Sequence, residues 1–200
     1  MGVRQINQDL SPDGKSVMLY IALLHYPVYN KNGKIVSTAI ANMDIHDIAR
    51  VAKTYAASGF YIVNPIAEQR KLAQAIVSHW REGYGAAYNQ SRREAFQLIK
   101  IKASLLDVIR DIAEETAVVP KTIATGARIS GEILTFAELK KMLRTNHTPW
   151  LLLFGTGSGM ANEVVDISDY KLEPINGLSV YNHLSVRSAV AIIMDRVLGH

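Results

Sequence analysis

The 200-residue sequence contains no cysteine. Disulfide bonds and thiolate metal sites are therefore excluded, and the absence fits a protein of the reducing cytosol. A large excess of charge of one sign is also missing, because the net charge is only +4. A surplus this small permits a polyanionic partner without requiring one. Composition alone thus leaves the binding partner open.

Long hydrophobic runs are absent as well. No apolar run approaches the roughly 18 residues that cross a membrane, and Met1-Gly2-Val3-Arg4-Gln5 lacks the apolar core of a signal peptide. Residues 1–15 are rich in polar and turn-forming types, which predicts a flexible leader. Residues 16–200 suffice for one well-buried domain at a hydrophobic content of 48%. We therefore expect a soluble, cytoplasmic, single-domain protein without a membrane anchor.

Apolar runs of strand length alternate with segments of helical spacing after residue 15. Residues 16–25 and 151–154 are continuous apolar runs, which are typical of strands buried on both faces. Further strands are predicted at 60–63, 97–101, 122–125 and 170–172, and helices at 43–58, 67–80, 105–116, 136–144 and 188–198. A continuous helix from Arg92 is the alternative to the strand at 97–101. The alternation predicts an α/β fold with a mostly parallel sheet of five or six strands flanked by helices.

Local signals mark the ends and faces of several predicted helices. Thr135 and Glu138 have the spacing of a capping box, and Asp44 is a plausible N-cap of the helix at 43–58. The helix at 105–116 is amphipathic, and its spacing predicts that Leu106, Ile109, Ile112 and Ala113 point inward.

The most informative stretch is residues 151–160, where a buried strand opens into alternating glycines. Glycine lets the main chain approach a ligand closely and adopt positive φ. A second loop, rich in Asn, His and Ser, follows at 177–187 and leads into the last apolar helix. In open parallel sheets, ligands bind beyond the carboxyl ends of the strands, where 25–33, 64–65, 125–128 and 155–160 all fall. We predict one pocket there, built mostly from main chain.

The glycine loop has two other interpretations. Gly155-x-Gly157-x-Gly159 resembles a dinucleotide fingerprint, but its third glycine comes one residue early and the loop follows the last long strand. A nicotinamide-dependent oxidoreductase is therefore the weakest of the functions considered. A nucleoside triphosphate loop is excluded, because no Gly-Lys-Ser/Thr follows a glycine loop of the required spacing.

The combination of motifs resembles the SPOUT, or α/β-knot, RNA methyltransferases. The similarity is carried by Phe154-Gly155-Thr156-Gly157-x-Gly159-Met160, then Pro174-Ile175-x-Gly177, then residues 182–189, Asn-His-Leu-Ser-Val-Arg-Ser-Ala, with Thr125-Gly126-Ala127-Arg128 upstream. It is specific in the last fifty residues and looser before them.

The resemblance implies a C-terminal deep trefoil knot that binds S-adenosylmethionine through main-chain groups. It places the cofactor at Thr125, Phe154, Gly155, Thr156, Gly157, Ile175, Gly177, Tyr181, Asn182, Leu184 and Ser185. It also implies methyl transfer to a tRNA or rRNA nucleotide, on the base or on the ribose 2′-hydroxyl. The alternative within this fold is a knotted protein that binds the cofactor or a nucleotide without catalysis.

Catalytic candidates come from the first predicted helix. The first motif of the family reads Asn-x-Gly-x-(Ile/Ala)-x-Arg, and the corresponding region here runs from Asn42 to Arg50. His46 and Asp47 stand where the glycine is expected, and both are candidate proton acceptors, as is Asp44. Arg50 is suited to orienting a phosphate or ribose through its planar, permanently charged fork rather than to acting as a base. The spacing to Gly59 would also allow Lys53 in the place of the arginine. The six histidines show no metal-binding spacing, so we expect no metal.

The resemblance further implies a homodimer whose active site lies at the subunit interface. The catalytic candidates precede the cofactor loops by about a hundred residues, and one subunit's arginine would face the other subunit's cofactor. The last helix supports this expectation modestly, because its apolar residues exceed what one buried face uses. Scattered basic residues could contact RNA phosphates, but the sequence does not show that they converge: Arg92, Arg93, Lys100, Lys102, Lys140, Lys141 and Arg144.

Overall fold

Six parallel strands form the central sheet in the computed structural model, which describes residues 17–179 and 181–199. In chain order these are β1 (Leu19–Leu24), β4 (Gly59–Val63), β5 (Ile99–Lys102), β6 (Lys121–Ala124), β7 (Trp150–Gly155) and β8 (Tyr170–Lys171). The spatial order is β5-β4-β1-β7-β6-β8. A small antiparallel hairpin, β2 (Val28–Tyr29) with β3 (Ile35–Val36), follows β1. The predicted leader, 1–15, lies outside the described residues.

Eight helices connect the strands within the described ranges. They are α1 (Asn42–Thr54), α2 (Ala67–Arg81), α3 (Tyr84–Tyr88), α4 (Gln90–Phe96), α5 (Leu105–Thr116), α6 (Phe136–Thr145), α7 (Asn162–Ile167) and α8 (Val186–Leu198). The predicted α/β class and the six-stranded parallel sheet are confirmed. None of the described helices is long and apolar enough to span a membrane.

The apolar runs form the centre of the sheet. β1 lies between β4 and β7, and its register with β7 runs from Leu19 opposite Trp150 to Leu24 opposite Gly155. Every residue of β1 is buried. Alternate side chains enter two cores, one that includes residues of α1, α2, α6 and α8 and one that includes residues of α5 and α7. Burial on both faces explains why these strands are continuously apolar.

Several local predictions need correction. Asp44 is not the N-cap: Ala41 occupies that position without a side-chain cap, and Asp44 lies inside α1. The helix ends at Thr54 rather than at residue 58, because the chain turns through Ala56 at φ +52°. The predicted inward Leu106 is 53% exposed. The buried residues of α5 are Val108, which was not predicted, and Ile112, whose predicted burial is confirmed. The alternative of a helix continuing through 97–101 is wrong, because β5 begins at Ile99.

A charged network joins β5 to α5 beside the sheet. Asp111 accepts hydrogen bonds from Tyr61 at 2.7 Å, from Lys100 at 2.9 Å and from Lys102. Lys100 also bonds Glu115 at 2.6 Å. Burial alone would raise the pKa of Asp111, but the hydrogen bonds from Lys102, Lys100 and Tyr61 outweigh it and lower the pKa to about 2. The carboxylate therefore stabilises the fold in its charged form.

This network predicts a loss of stability in acid. The folded-state pKa of Asp111 lies below the unfolded value of 3.8, so its contribution is present above pH 3.8 and disappears as the pH falls towards 2. We expect the contribution to be on the order of 2 kcal/mol. Urea unfolding at neutral pH and at acidic pH should show a smaller decrease in the Asp111→Asn variant than in the wild type. Equal decreases in both proteins would contradict the assignment.

Candidate active site

Polar residues gather at the carboxyl edge of the central strands. His25 follows β1, Asn64 follows β4 and Thr125 follows β6, and all three are buried. Gly155 ends β7, and the glycine loop continues from it. Because the strands are parallel and β4, β1, β7 and β6 are successive neighbours, these ends meet along one edge. The predicted location of the site is therefore one continuous stretch of the sheet.

The glycine loop packs against the chain's own hairpin. The Ser158 N–H donates to the Tyr29 carbonyl at 2.8 Å, and the Tyr29 N–H donates to the Gly159 carbonyl at 2.8 Å. Gly157 has φ +61°, and a Cβ there would lie 2.6 Å from the Tyr29 carbonyl oxygen. The close approach predicted for a ligand at Gly157 is thus made by Tyr29. Glycine is needed at this position for packing within the protein.

Hydroxyl and amide side chains connect the strand ends to the segment that enters α1. The hydroxyls of Thr38 and Thr156 share a hydrogen bond of 2.6 Å. The Asn64 side-chain amide donates to the Thr38 carbonyl at 3.0 Å. Sequence reasoning did not select Thr38 or Asn64 as site residues, although the Asn-Pro step after β4 marks a strand end at the correct edge. These bonds fix the approach of the chain to Asn42.

His25 is fully buried beneath this segment. Neither of its ring nitrogens makes a hydrogen bond among the described residues. Burial lowers the pKa of His25, while the Val63 backbone and the negative charge of Asp44 oppose the shift. The ring is therefore held largely neutral between the sheet and the start of α1.

An ion-pair network joins the start of α1 to the start of α8. The Arg187 guanidinium lies 3.0 Å from Asp44 through Nη1 and 3.4 Å from Asp47 through Nε. Arg50 lies 4.0 Å from Asp47 on the exposed surface of α1. Arg187 at the start of α8 thus pairs with two carboxylates of α1. The structure thus brings Asp47 and Arg50 close to the end of the predicted cofactor segment.

The other catalytic candidates are placed differently. Asn42 is the exposed first residue of α1. The His46 ring packs edge-on against Trp80 at 5.2 Å and Phe96 at 4.8 Å between centroids, and its Nδ1 is buried without a partner among the described residues. Burial, and secondarily the charge of Arg92, lowers the pKa of His46. This packing assigns His46 to the contact of α1 with α2 and α4.

Some predicted cofactor residues have their side chains engaged inside the protein. The Thr125 hydroxyl donates to the Leu153 carbonyl at 2.8 Å, and the Thr156 hydroxyl donates to the Leu24 carbonyl at 3.1 Å. Phe154 is buried in the core. Ser185 caps α8, where its side chain accepts from the Ser188 N–H at 3.4 Å. These side chains are therefore engaged within the protein, and the N–H groups of Thr125 and Thr156 are bonded as well, to the Leu153 and Leu24 carbonyls.

The segment 174–184 has the opposite character. The Tyr181 N–H donates to the Ser179 hydroxyl at 3.0 Å; otherwise the main chain of 174–179 and 181–184 makes no hydrogen bond with another described residue. Leu178, Tyr181 and Leu184 expose large apolar side chains, whereas Asn182 and Ile175 are half-buried. A Cβ at Gly177 would meet no atom within 4 Å. Free main chain beside exposed apolar side chains fits a ligand with an adenine ring and polar edges.

A separate cavity of about 460 Å³ lies near the carboxyl ends of β1, β4 and β5. It opens on the face of the sheet that packs against α5 and α7. None of the predicted cofactor or catalytic residues lines it. The lining is largely apolar and consists of Tyr26, Pro27, Pro65, Ala103, Ser104, Leu105, Leu106, Glu163, Val164 and Ile167. Among the described residues, no group of three or more potential ligand side chains is placed to hold a metal ion.

The fold is shared with known methyltransferases. The chain is similar over 91% of its length to the solved structure of the SpoU methyltransferase AviRb from Streptomyces viridochromogenes in complex with the cofactor AdoMet, covering 60% of that chain with a TM-score of 0.56 and 17% identity. The SAM-dependent RNA methyltransferase family matches residues 18–199. The chain therefore belongs to that family. This assignment confirms the resemblance and the S-adenosylmethionine cofactor, and it leaves the nicotinamide alternative without support.

Two proteins of similar sequence differ in how much of their own length this chain matches. The chain is 45% identical over 181 residues to a tRNA (guanine-N(1)-)-methyltransferase of Oleidesulfovibrio alaskensis, a match of 90% of this chain but 42% of that protein. It is 41% identical over 181 residues to an uncharacterised protein of Aquifex aeolicus, covering 88% of that protein. The chain thus spans less than half of the first relative, whose name describes a protein more than twice as long as the matched region.

Proposed function

We propose that this protein transfers the methyl group of S-adenosylmethionine to a nucleotide of RNA, with tRNA as the first substrate to test. The family match over residues 18–199 carries this proposal. The name of the relative from O. alaskensis supports tRNA as the substrate class. Because less than half of that relative is matched, base and ribose methylation are both retained as possible outcomes.

The cofactor pocket of this proposal lies between three loops at the carboxyl edge, 125–128, 155–157 and 172–185. Gly155, Gly157, Ile175 and Gly177 would offer main chain, and Tyr181, Asn182 and Leu184 would cover the adenosyl group. Leu172 and Glu173 donate main-chain hydrogen bonds to Ala124 and Leu134 at 2.9 Å each, so the start of the third loop runs directly beside the first.

The same arrangement supports a C-terminal knot. After β8 at the sheet edge, the chain returns to pack α8 against α1 and α6, next to β7. The segment 134–136 lies against 172–173, and the Phe136 N–H donates to the Glu173 carboxylate at 2.5 Å. We infer that 172–185 threads the 125–135 loop. An experimental structure in which this segment passes outside the loop would contradict the knot.

The chemistry requires orientation and removal of one proton. Bound S-adenosylmethionine supplies a methyl carbon on a positively charged sulfur. The RNA nitrogen or oxygen forms the new bond to that carbon as the bond to sulfur breaks, and the nucleophile loses its proton. Asp47 is the proposed proton acceptor, Arg50 orients a phosphate or ribose, and Asn42 adds a hydrogen-bonding group at the helix start.

Methyl incorporation tests the proposal directly. Purified protein, radiolabelled S-adenosylmethionine and unmodified tRNA transcripts should give labelled RNA, and nucleoside digestion should identify the methylated atom. We expect Arg50→Ala to lower kcat/KM by about 100-fold while the affinity for S-adenosylhomocysteine stays unchanged. Lys53→Ala, one turn further along α1, tests the alternative in which this lysine takes the place of the arginine. Cofactor binding without methylation of tRNA or rRNA would favour the non-catalytic alternative and contradict the enzyme.

The homodimer also belongs to the proposal. Arg50 and Met43 are exposed on α1, and the adjoining α8 presents partly buried apolar residues such as Ala189 and Ile192. We expect light scattering to give about twice the chain mass of 22.1 kDa. Mixing Arg50→Ala chains with chains disabled in the cofactor loop should restore part of the activity, because one of the two shared sites is intact. A fully active monomer would contradict this arrangement.

The cellular location follows from the substrates. RNA methylation needs unmodified RNA and S-adenosylmethionine in one compartment, so we propose that the protein acts in the cytoplasm. Cell fractionation that finds it in another compartment would contradict this part.

A further inference from the structure

Two exposed tyrosines stand side by side on α3. Tyr84 and Tyr88 are 78% and 76% exposed. Their ring centroids are 6.2 Å apart and the ring planes differ by only 19°. Aromatic rings bury large areas when they find a partner, so an aligned, uncovered pair indicates an interaction surface. We call Tyr84 and Tyr88 the tyrosine pair.

The tyrosine pair rests on a firmly packed base. Gly85, between the two residues, is buried. A Cβ there would lie 2.7 Å from the Trp80 ring and 2.9 Å from His79 Nε2, so α3 sits directly on the end of α2. Asn89 then caps α4 by accepting from the Arg92 N–H at 2.9 Å. The short helix is therefore fixed at both ends, and little conformational entropy is lost when a ligand binds to its rings.

Positive charge lies beside the tyrosine pair. The Arg92 guanidinium stacks over the Trp80 ring at 4.8 Å from its centroid. Arg93 is exposed and makes no ion pair with any residue the structure describes. Glu82 and Glu94 are the carboxylates of residues 79–94, and Glu94 lies 4.0 Å from Lys53. Free arginines next to aromatic rings are the chemistry that holds a polynucleotide.

This surface continues towards the candidate active site. His46 of α1 packs on the Trp80 ring, over which Arg92 stacks, and Lys53 of α1 lies 4.0 Å from Glu94 of α4. A polynucleotide that crosses the tyrosine pair and Arg92 would thus reach the exposed face of α1 that carries Arg50.

We propose that Tyr84 and Tyr88, with Arg92 and Arg93, form a platform on which unpaired nucleotides of the RNA substrate stack beside the active site. This inference rests on the proposed function and assigns its RNA contacts. Stacking on the rings tolerates any base, whereas the arginines contact phosphates. The platform therefore positions a single-stranded loop or end of the RNA without reading its sequence.

Fluorescence anisotropy with a labelled, unmodified tRNA transcript tests the platform. The Tyr84→Ala/Tyr88→Ala double variant should bind about 10-fold or more weakly, which is typical of losing one stacked base. Tyr84→Phe/Tyr88→Phe should remain within about two-fold of wild type, because the ring faces are kept. Arg93→Gln should reduce the salt dependence of binding by about one phosphate contact. Val119→Ala, an exposed apolar residue before β6, is the control and should bind RNA normally.

The outcomes separate the platform from the proposed function. Calorimetry should give unchanged S-adenosylhomocysteine affinity in the tyrosine variants, which shows that the domain is intact. RNA affinity that is equal in the double alanine variant and the wild type overturns the platform and leaves the function standing. If the wild type shows no methyl transfer but the double alanine variant binds RNA more weakly than it does, the platform is supported and the proposed methyltransferase activity is contradicted. A halved molecular mass in the double variant also overturns the platform, because the rings would then bind a second copy of the chain.

Discussion

Replacing Gly157 with alanine should destabilise the protein by about 3 kcal/mol. The new Cβ would lie 2.6 Å from the Tyr29 carbonyl oxygen, and the residue would keep φ +61°. Either the glycine loop or the hairpin must move. Urea unfolding measures the change, and the melting temperature should fall by about 6–12 °C. The affinity for S-adenosylmethionine should fall together with the stability, because the loop that borders the pocket is displaced.

Gly33 provides a matched control for this prediction. It has φ +71°, and no atom lies within 4 Å of its Cβ position. Gly33→Ala therefore carries only the conformational penalty of a left-handed residue, about 1 kcal/mol. The difference between the two variants isolates the contact with Tyr29. A Gly157→Ala protein that keeps its stability but loses cofactor affinity would show that a ligand, and not Tyr29, needs the space.

Removing the Arg187 side chain should cost about 2–3 kcal/mol. The Asp44 side chain is 12% exposed, and Arg187, at 33%, is its partner at 3.0 Å. Arg187→Ala leaves a nearly buried carboxylate without its charge partner. Because Arg187 is partly exposed, solvent that enters its place hydrates the carboxylate and offsets part of the lost free energy of unfolding. Urea unfolding should show this loss. Cofactor affinity should also decrease, because α8 begins directly after the predicted cofactor segment.

A double-mutant cycle separates the ion pair from general packing. Asp44→Asn combined with Arg187→Gln should be more stable than the sum of the single changes predicts, with a coupling of about 1–2 kcal/mol. Lys53→Ala is the control from the same helix, because Lys53 and Glu94 are half-exposed and 4.0 Å apart. Its effect should stay below about 0.5 kcal/mol. Additive effects of the Asp44 and Arg187 changes would contradict the coupling.

Sequence reasoning succeeded where the signal is local. The apolar runs of β1 and β7 indicate burial on both faces, and the capping box of Thr135 and Glu138 is present with its expected hydrogen bonds. The α5 boundaries were predicted correctly from an amphipathic period and the break that follows. In each case the determining interactions lie within a few residues of one another.

Sequence reasoning missed contacts between distant parts of the chain. Asp44 has the residue type and position of a helix cap, but its partner Arg187 is 143 residues away. Gly157 has the form of a ligand-binding glycine, yet the contact that excludes a side chain comes from Tyr29. The ring environment of His46 depends on Trp80 and Phe96, which only the packing of α2 and α4 brings near. The spacing of apolar and polar residues along the sequence does not indicate such long-range pairings.

The hairpin between β1 and α1 would make the two ligands of the proposed reaction thermodynamically dependent on each other. It touches the glycine loop through Tyr29, and Thr38 bonds Thr156 four residues before α1 begins. A ligand that orders the loop therefore also orders the entrance to the helix that carries Arg50. Linkage requires the effect to be mutual: S-adenosylhomocysteine should tighten RNA binding by the same factor by which RNA tightens S-adenosylhomocysteine binding. Thr38→Val, which removes the hydroxyl bridge, should reduce both factors equally. A titration of either ligand in the presence of the other therefore measures how strongly the glycine loop and the start of α1 are coupled.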